Sequence, residues 1–423
     1  MPEAQDRAPR RVRPWALVVA AVVVMALVVI ATGGSGKPPA HSGSDTSANN
    51  AHGSTGSGHH AATQHLFTLT SSVPASGASS VPTDTTISLT FSKPITLGKS
   101  SPTLTPAVGG SWSQPSPTTL QYDLDGPLVP TTHEVVTIAG GSSGLRSTDG
   151  SKLASTTSVA FNVASGDYLR LQQLLAQLDY LPLSFSPSGP APAPKEMAID
   201  QTGTFAWRWP NQPASLISQW AQGSFDEVTR AAVEAFENNN GLGVDGIAGP
   251  AVWTDLLNAV AAQKTDPNPY VYVIVNKVQP ENLTLYNNGT AQLSGILVNT
   301  GAPGADTTDG TFAVFEHVRY SDMKGTNPDG SKYDDPNVPY ASYFNGGDAL
   351  HGFIRASYGY PQSNGCVEMS YANAALVWPL TPIGTLVTVE GPATPGPPPT
   401  TTTPTTAPPA PTTTAAPPPP ATP

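Results

Sequence analysis

The chain has 423 residues, of which 46 are proline and 39 are glycine, so we expect two to four domains joined by linkers. Only 12% of the residues are charged, and the formal net charge is −11. Because no dense cluster of lysine and arginine follows the first residues, the composition argues against binding to nucleic acid.

The amino terminus is typical of an export signal. A basic head, residues 1–14, precedes an uninterrupted apolar run from Trp15 to Ala31; its arginines are Arg7, Arg10, Arg11 and Arg13. The run is about as long as a short transmembrane helix and longer than most cleaved signal cores. Basic residues on the N-terminal side place that end in the cytoplasm. We therefore expect an uncleaved, single-pass membrane anchor with the bulk of the protein outside the cytoplasmic membrane; a cleaved signal and a secreted protein are the alternative.

Two segments of different composition follow the anchor. Residues 32–65 contain mainly Gly, Ser, Ala, Thr and His without a hydrophobic period, which predicts a flexible linker. In residues 66–164, short alternating runs such as Ile87, Leu89 and Phe91 are separated by turn residues and predict a β-sandwich. The stretch 73–94 resembles bacterial Ig-like domains. This resemblance implies a spacer, with specific ligand binding as the alternative.

Helical spacing replaces alternation in residues 165–262. The apolar positions predict three helices, the second with a capping box of Ser224 and Glu227, and the third beginning at Gly249 and Pro250. We expect a small three-helix bundle. The run 241–250, followed by Trp253, resembles the signature of peptidoglycan-binding domains, although an insertion of about 183–222 interrupts the match. Either the domain binds peptidoglycan or these residues only form a turn and a helix start.

A mainly β catalytic domain is predicted for residues 268–391. β-Branched and aromatic residues dominate, and the sequence Asn287-Asn288-Gly289 between two such runs predicts a hairpin. One helix is expected near 371–378, with Ser370 as its cap. Residues 392–423 are almost wholly Pro, Thr and Ala, which predicts a disordered tail.

Cys366 is the single cysteine of the chain and therefore cannot form an internal disulfide. An unpaired thiol in an exported protein is prone to oxidation, which makes Cys366 a candidate nucleophile. A thiol nucleophile needs a base, and two histidines of the predicted catalytic domain could serve. His351, directly before Gly352, is the stronger candidate; His317, on or just after a predicted strand, is the weaker one.

The motifs around these residues occur in a specific order. The runs 343–352 (YFNGGDALHG) and 363–369 (SNGCVEM) resemble the catalytic signature of the L,D-transpeptidases, the YkuD-type domain. The run 307–312 (TTDGTF) matches another element of that family, with Thr308 where proline is usual. Two positions depart from the family pattern: Asn364 replaces a common histidine, and Glu368 replaces a frequent arginine. Glu368 could orient His351 or face solvent, and the second interpretation is favoured.

The resemblance assigns a role to each site residue. Cys366 would be the nucleophile and His351 the general base, and the backbone N–H groups of Gly365 and Cys366 would form the oxyanion hole. Supporting roles fall to Ser363 and Asn364, and substrate contacts to Tyr343, Phe344 and Gly352. The partners implied are peptidoglycan stem peptides and, as covalent inhibitors, β-lactams of the carbapenem type. Neither a metal nor a cofactor is expected.

The reaction implied is the formation of 3→3 cross-links in the cell wall through a cysteine thioester. The same site could instead perform L,D-carboxypeptidase hydrolysis or exchange with a free D-amino acid, since the acceptor is chosen by a pocket that the sequence does not reveal. A non-enzymatic alternative is a wall-binding scaffold. The presence of Cys366, His351 and Ser363 together argues against the scaffold.

Overall fold

A computed structural model of the protein describes residues 66–96 and 100–391. The predicted basic head, membrane anchor, linker and Pro/Thr-rich tail lie outside these ranges. Among the helices that are described, none combines the length and the apolar character that crossing a membrane requires.

The first region is a β-sandwich. Alternating residues of its strands are buried, as Ile87, Leu89 and Phe91 show. The strands are β1 Leu69–Val73, β2 Ile87–Phe91, β3 Ile95–Thr96, β4 Thr103–Thr105, β5 Gly110–Ser116, β6 Thr119–Leu124, β7 His133–Ile138, β8 Arg146–Ser147 and β9 Thr157–Asn162. They form sheets in the orders β1-β2-β6-β5, β4-β7-β9 and β3-β8. One apolar core fills the space between the sheets, as expected for an Ig-like domain.

The second region is helical but is not a plain three-helix bundle. Its elements are α1 Tyr168–Gln177, β10 Leu183–Pro187, β11 Gly203–Trp207, α2 Ala214–Ile217, α3 Glu227–Asn240 and α4 Pro250–Ala262. The three predicted helices correspond to α1, α3 and α4. The insertion contributes the antiparallel pair β10-β11 and the short helix α2. The prediction of a three-helix bundle did not include this hairpin. Its aromatic residues pack against the same core as the helices.

The start of α3 differs from the predicted capping box. Asp226, rather than Ser224, is the N-cap: its carboxylate accepts hydrogen bonds from the Thr229 N–H at 2.8 Å and from the Ala221 N–H at 2.6 Å. An aspartate binds free N–H groups at a helix start at least as well as serine does. At α4 the prediction is confirmed, with Gly249 as N-cap and Pro250 in the first turn.

The glycine-rich run before α4 is held by a buried carboxylate. Glu237 accepts hydrogen bonds from the N–H groups of Asp245 at 3.0 Å and Gly246 at 2.9 Å. Asp245 in turn accepts the Ile247 N–H at 2.8 Å. Gly246 has a φ of +67°, which favours glycine. These contacts explain the run as a turn; its binding to peptidoglycan stays a prediction.

The third region is mainly β, as predicted. Its elements are β12 Val271–Asn276, β13 Asn282–Asn287, β14 Thr290–Leu297, β15 Gly310–Ala313, β16 Glu316–Thr326, β17 Lys332–Asn345, β18 Asp348–Gly352, β19 Val367–Met369, α5 Tyr371–Val377 and β20 Leu386–Glu390. The hairpin at Asn288 and Gly289 is confirmed by β13 and β14. Ser370 caps α5 by accepting the Asn373 N–H at 3.2 Å, also as predicted.

Two sheets enclose the core of this region. One has the order β14-β13-β12-β20-β15, and the other has the order β16-β17-β18-β19. Apolar residues of both sheets and of α5 form a single cluster that includes Val273, Leu350 and Val377. Strand β12, which is nearly all apolar, is buried on both faces: Val273 and Val275 pack in the core between the sheets, whereas Tyr272 packs in the cluster of the helical region.

The helical region packs against the five-stranded sheet. Tyr272, Ala313 and Leu386 of the sheet belong to the same buried cluster as the residues of α1, α3 and α4. Gly384, just before β20, comes so close to α3 that a Cβ there would lie 2.5 Å from the Cβ of Ala235. A continuous apolar interface of this kind holds the two regions together.

Replacing Gly384 by alanine should destabilise this interface. Gly384 has a φ of +85°, and a Cβ would also lie 2.7 Å from the carbonyl oxygen of Ala231. Backbone strain and overpacking together predict a loss of about 2 kcal/mol or more in the free energy of unfolding. Calorimetric unfolding temperatures of Gly384→Ala and the control Gly243→Ala test this, because a Cβ at Gly243 meets nothing within 4 Å. Equal unfolding temperatures for the two variants would contradict the prediction.

Candidate active site

The pairing of β18 with β19 brings the two main candidate residues together. The strands are parallel, with Leu350 opposite Val367 and His351 opposite Glu368. Cys366 directly precedes β19, so the same register places it beside Ala349. Because side chains alternate along a strand, a continuation of this register would place His351, two residues beyond Ala349, on the same face as Cys366.

His351 is held in one tautomer. The ring is buried, and its Nδ1 lies 3.1 Å from the carbonyl oxygen of Gly352. A carbonyl only accepts hydrogen bonds, so Nδ1 carries the proton and Nε2 is left with a free lone pair. Burial lowers the pKa of His351 below its ordinary value of 6.5. The imidazole is therefore neutral at neutral pH and suited to act as a base.

Cys366 rests as a thiol. Its Sγ lies 3.5 Å from the carbonyl oxygen of Gly347 and also accepts a hydrogen bond from the backbone of Ala349. Burial raises the pKa of the Cys366 thiol to about 12, and the nearby Asp348 and Glu368 carboxylates add to the rise. A thiol with this pKa attacks a carbonyl only when a base removes its proton during the attack.

Ser363 shapes the turn that carries the thiol. Its hydroxyl donates to the carbonyl oxygen of Cys366 at 2.5 Å and accepts the Gly365 N–H at 3.2 Å. The turn is also anchored by Thr307, whose hydroxyl donates to the carbonyl oxygen of Gly365 at 2.7 Å and accepts the Gly301 N–H at 2.8 Å. The described contacts of Ser363 are thus with its own turn and not with His351. The sequence alone places Thr307 in the motif 307–312 but does not indicate this role.

One of the two expected oxyanion donors is already engaged. The Gly365 N–H points to the Ser363 hydroxyl, so it is not free for a substrate oxyanion in this conformation. Within the described part of the chain, the Cys366 N–H has no backbone acceptor. Of the two predicted donors, Cys366 is therefore the better placed.

Glu368 does not face solvent, contrary to the favoured interpretation of the sequence. Its carboxylate is buried and accepts two hydrogen bonds from Arg355, each 2.7 Å long. Arg355 belongs to the loop that connects β18 to β19, and its guanidinium also lies 4.7 Å from the centre of the Phe353 ring. The ion pair thereby fixes the connecting loop to β19. The sequence could not pair these residues because only the strand register brings position 368 under the loop.

Asn364 contacts the long hairpin β16-β17, to which Tyr343 belongs. Asn364, which is exposed, donates through Nδ2 to Oδ1 of Asn327 in the hairpin turn at 2.6 Å. Tyr343 and Tyr333 of β17 both lie near the thiol: burial raises their pKa values, and Cys366 in its thiolate form would raise them further. Tyr343 is half-buried and its hydroxyl bonds Ser321 at 2.8 Å. The predicted substrate contact of Tyr343 is compatible with this position.

Two predicted substrate contacts have structural roles instead. Phe344 is only 2% exposed and packs in the core against Phe312, because its neighbour Tyr343 occupies the opposite face of β17. Gly352 is buried, and its carbonyl oxygen holds His351. A Cβ at Gly352 would lie 3.0 Å from the Tyr371 ring and 3.2 Å from the Cβ of Ala374, closer than most Cβ contacts.

His317 is engaged by contacts with Trp378 and Ser342. Its ring stacks on Trp378 with centroids 4.2 Å apart, and its Nδ1 lies 3.0 Å from the Ser342 hydroxyl. Burial lowers the pKa of His317. These contacts favour a packing role.

Within residues 66–96 and 100–391, no group of three or more His, Cys, Asp or Glu side chains could hold a metal ion.

Solved structures with similarity to the chain include several L,D-transpeptidases. An L,D-transpeptidase from Mycobacterium smegmatis is 13% identical, with 77% of this chain and 100% of that chain covered and a TM-score of 0.26. L,D-transpeptidase 3 from Mycobacterium tuberculosis, in complex with a faropenem-derived adduct, is 14% identical, with 76% and 98% covered and a TM-score of 0.27. The catalytic domain of the E. faecium L,D-transpeptidase is 25% identical, with 28% and 96% covered and a TM-score of 0.26. No curated protein matches the sequence significantly.

Three family models match successive parts of the chain. Residues 63–163 match the bacterial Ig-like domain, residues 215–256 match the "putative peptidoglycan binding domain", and residues 270–389 match the L,D-transpeptidase catalytic domain. The third match contains both Cys366 and His351, and its bounds lie within the mainly β region. The chain therefore carries a YkuD-family L,D-transpeptidase catalytic domain, preceded by a bacterial Ig-like domain and a domain of the peptidoglycan-binding family.

Proposed function

We propose that this cell wall transpeptidase forms 3→3 cross-links between peptidoglycan stem peptides through a thioester on Cys366. The observation that carries the proposal is the relation of Cys366 to His351. Cys366 directly precedes β19, the strand that pairs with the one carrying His351, and the bond from Nδ1 of His351 to Gly352 leaves Nε2 free to accept a proton. The family match at residues 270–389 supports the reaction class.

In the first half of the reaction, the donor stem peptide acylates the enzyme. Nε2 of His351 takes the thiol proton while Sγ of Cys366 attacks the carbonyl carbon of the third residue, the L-centre of a diamino acid. The resulting oxyanion accepts a hydrogen bond from the Cys366 N–H. As the intermediate collapses, the carbon–nitrogen bond breaks, and the departing terminal D-alanine takes the proton from His351. A thioester remains on Cys366.

In the second half, an acceptor amine from another stem peptide attacks the thioester. A carbon–nitrogen bond forms and the carbon–sulfur bond breaks, while His351 transfers the proton of the amine to the departing sulfur. Because the thioester conserves the energy of the cleaved amide, no nucleotide is consumed. This independence suits a site outside the cytoplasm, where the proposed membrane anchor would place the catalytic domain.

Hydrolysis or exchange with a free D-amino acid is the second candidate, since water or such an amino acid could meet the same thioester. A non-catalytic wall-binding scaffold is a third alternative. The ordered turn around Cys366, which Ser363 and Thr307 hold, favours an enzyme over a scaffold.

Substitution of Cys366 by alanine should abolish both cross-linking and acylation, because no other thiol exists in the chain. The assay incubates the full chain with tetrapeptide-stem muropeptides and identifies the products by mass spectrometry. In parallel, intact mass is measured after incubation with a carbapenem, which should add one equivalent to the wild type and none to Cys366→Ala. If both proteins gave the same muropeptide products, the proposed function would be wrong.

Substitution of His351 by glutamine should slow acylation by about 10²–10⁴-fold, the usual contribution of a general base. The rate of carbapenem adduct formation, measured by intact mass, checks this expectation. His317→Gln is the matched control, because His317 is a half-buried histidine of the same domain that stacks on Trp378. A comparable loss in both variants would argue against a specific role for His351.

The rate of acylation should fall at acidic pH and should not fall just above neutral pH. Burial places the pKa of His351 below 6.5, so the base is lost by protonation only as the pH falls through that lower value. The thiol, with a pKa of about 12, keeps its proton through neutral and mildly alkaline pH. The rate of carbapenem acylation across this range tests the assignment. A fall in rate just above neutral pH would instead indicate a resting thiolate–imidazolium pair.

A further inference from the structure

A second carboxylate, that of Asp348, borders the nucleophile. Asp348 is the first residue of β18 and is half-buried. Its Oδ1 fills the space that a Cβ at position 365 would need, and Gly365, with a φ of +110°, leaves that space free. Asp348 is therefore in direct contact with the turn that carries Cys366, and its charge acts on the thiol.

Asp348 has no cationic partner in the described part of the chain. No nitrogen of a lysine, arginine or histidine side chain lies within 4.0 Å of its carboxylate there. Its hydrogen bonds come from neutral groups: Nδ2 of Asn345, 3.3 Å from Oδ2, and the backbone of Thr308. Burial raises the pKa of Asp348, and these bonds only partly oppose the rise.

Glu368, the other carboxylate near Cys366, has a cationic partner, whereas Asp348 has none among the described residues. Both carboxylates disfavour the thiolate of Cys366, but Glu368 is neutralised by Arg355 in a bidentate ion pair. When ionised, Asp348 carries an uncompensated charge next to atoms that become negative during acylation. For acylation alone, a neutral residue at position 348 would serve better. A positive group that enters the site would compensate this charge.

We propose that Asp348 binds the side-chain ammonium of the acceptor stem peptide and thereby selects an amine, rather than water, as the group that resolves the thioester. This inference rests on the proposed function and specifies the acceptor side of the same site. A charge-assisted hydrogen bond of this kind is about twice as strong as a neutral one and orients the amine towards the sulfur-bound carbonyl.

The acceptor amine resolves the thioester with the transfer of two protons. The acceptor binds as an ammonium ion and loses one proton to bulk water before the attack. The nitrogen lone pair then forms the carbon–nitrogen bond, the carbon–sulfur bond breaks, and the sulfur leaves with the electron pair. A second proton passes from the nitrogen through His351 to Sγ of Cys366. While the nitrogen is positive, the Asp348 carboxylate stabilises it.

The donor stem peptide also carries a side-chain amine, so the ammonium that Asp348 binds could belong to the donor instead of the acceptor. The geometry favours the acceptor, because Asp348 borders the turn that bears the sulfur. The attacking nitrogen must reach the sulfur-bound carbonyl itself, whereas the amine of the donor is separated from that carbonyl by its own side chain. The rate of acylation reports on binding of the donor, whereas the ratio of cross-linked to hydrolysed product reports on binding of the acceptor. Measuring the two separately distinguishes donor from acceptor.

The experiment compares Asp348→Asn, Asp348→Ala and the matched control Asp306→Asn in the full chain. Asp306 is exposed in the loop before Thr307, and its substitution removes the same charge close to the site. Each protein receives tetrapeptide-stem muropeptides, and the ratio of cross-linked dimer to hydrolysed tripeptide is measured. Carbapenem adduct formation, measured by intact mass, reports whether the site is folded and reactive.

We expect the dimer-to-tripeptide ratio to fall about tenfold or more in both Asp348 variants and to stay unchanged in Asp306→Asn. Carbapenem acylation should persist in all three. An unchanged ratio in an Asp348 variant that still forms the adduct would overturn the inference. Slower acylation by the muropeptide donor with an unchanged ratio would assign Asp348 to the donor and would equally overturn it. Absence of any Cys366-dependent product in the wild type would instead refute the proposed function.

Discussion

Strands β18 and β19 run parallel, and this pairing is the constraint on which the active site depends. Parallel neighbours need a connection that crosses from one end of the pair to the other. Here residues 353–366 form that connection without a helix, so side-chain contacts must hold it. The bidentate pair of Arg355 and Glu368 supplies one such contact, and the Ser363 hydroxyl supplies another at the end of the loop. The position of the thiol relative to His351 follows from these contacts.

The electrostatics of the site follow from burial. A neutral imidazole and a protonated thiol are the expected resting states when the pKa of His351 is lowered and that of Cys366 is raised. In the proposed mechanism, proton transfer within this pair creates charge only during the attack on the substrate. Of the two nearby carboxylates, Glu368 is neutralised by Arg355, whereas Asp348 has no ion-pair partner among the described residues.

The helical region forms part of the support of the catalytic sheet. The close approach of Gly384 to α3 and the shared cluster around Tyr272 join α3 to β12 and β20. Strand β20 also lies between β12 and β15 in the sheet. The domain that matches the peptidoglycan-binding family is thus packed directly on the catalytic domain.

Residue order and periodicity alone determined the succession of sandwich, helices and mainly β domain, the hairpin at Asn288, the cap at Ser370 and the pairing of Cys366 with His351 as candidates. These features depend on local backbone preferences or on a specific motif, both of which are written in contiguous sequence. Only the tertiary structure decided that Phe344 faces the core, that Glu368 meets Arg355, that Gly365 donates to Ser363 and that Asp348 stands beside the thiol. Alternation shows which residues share a face but not which face is buried, and contacts between loops depend on the register of strands that are far apart in the chain.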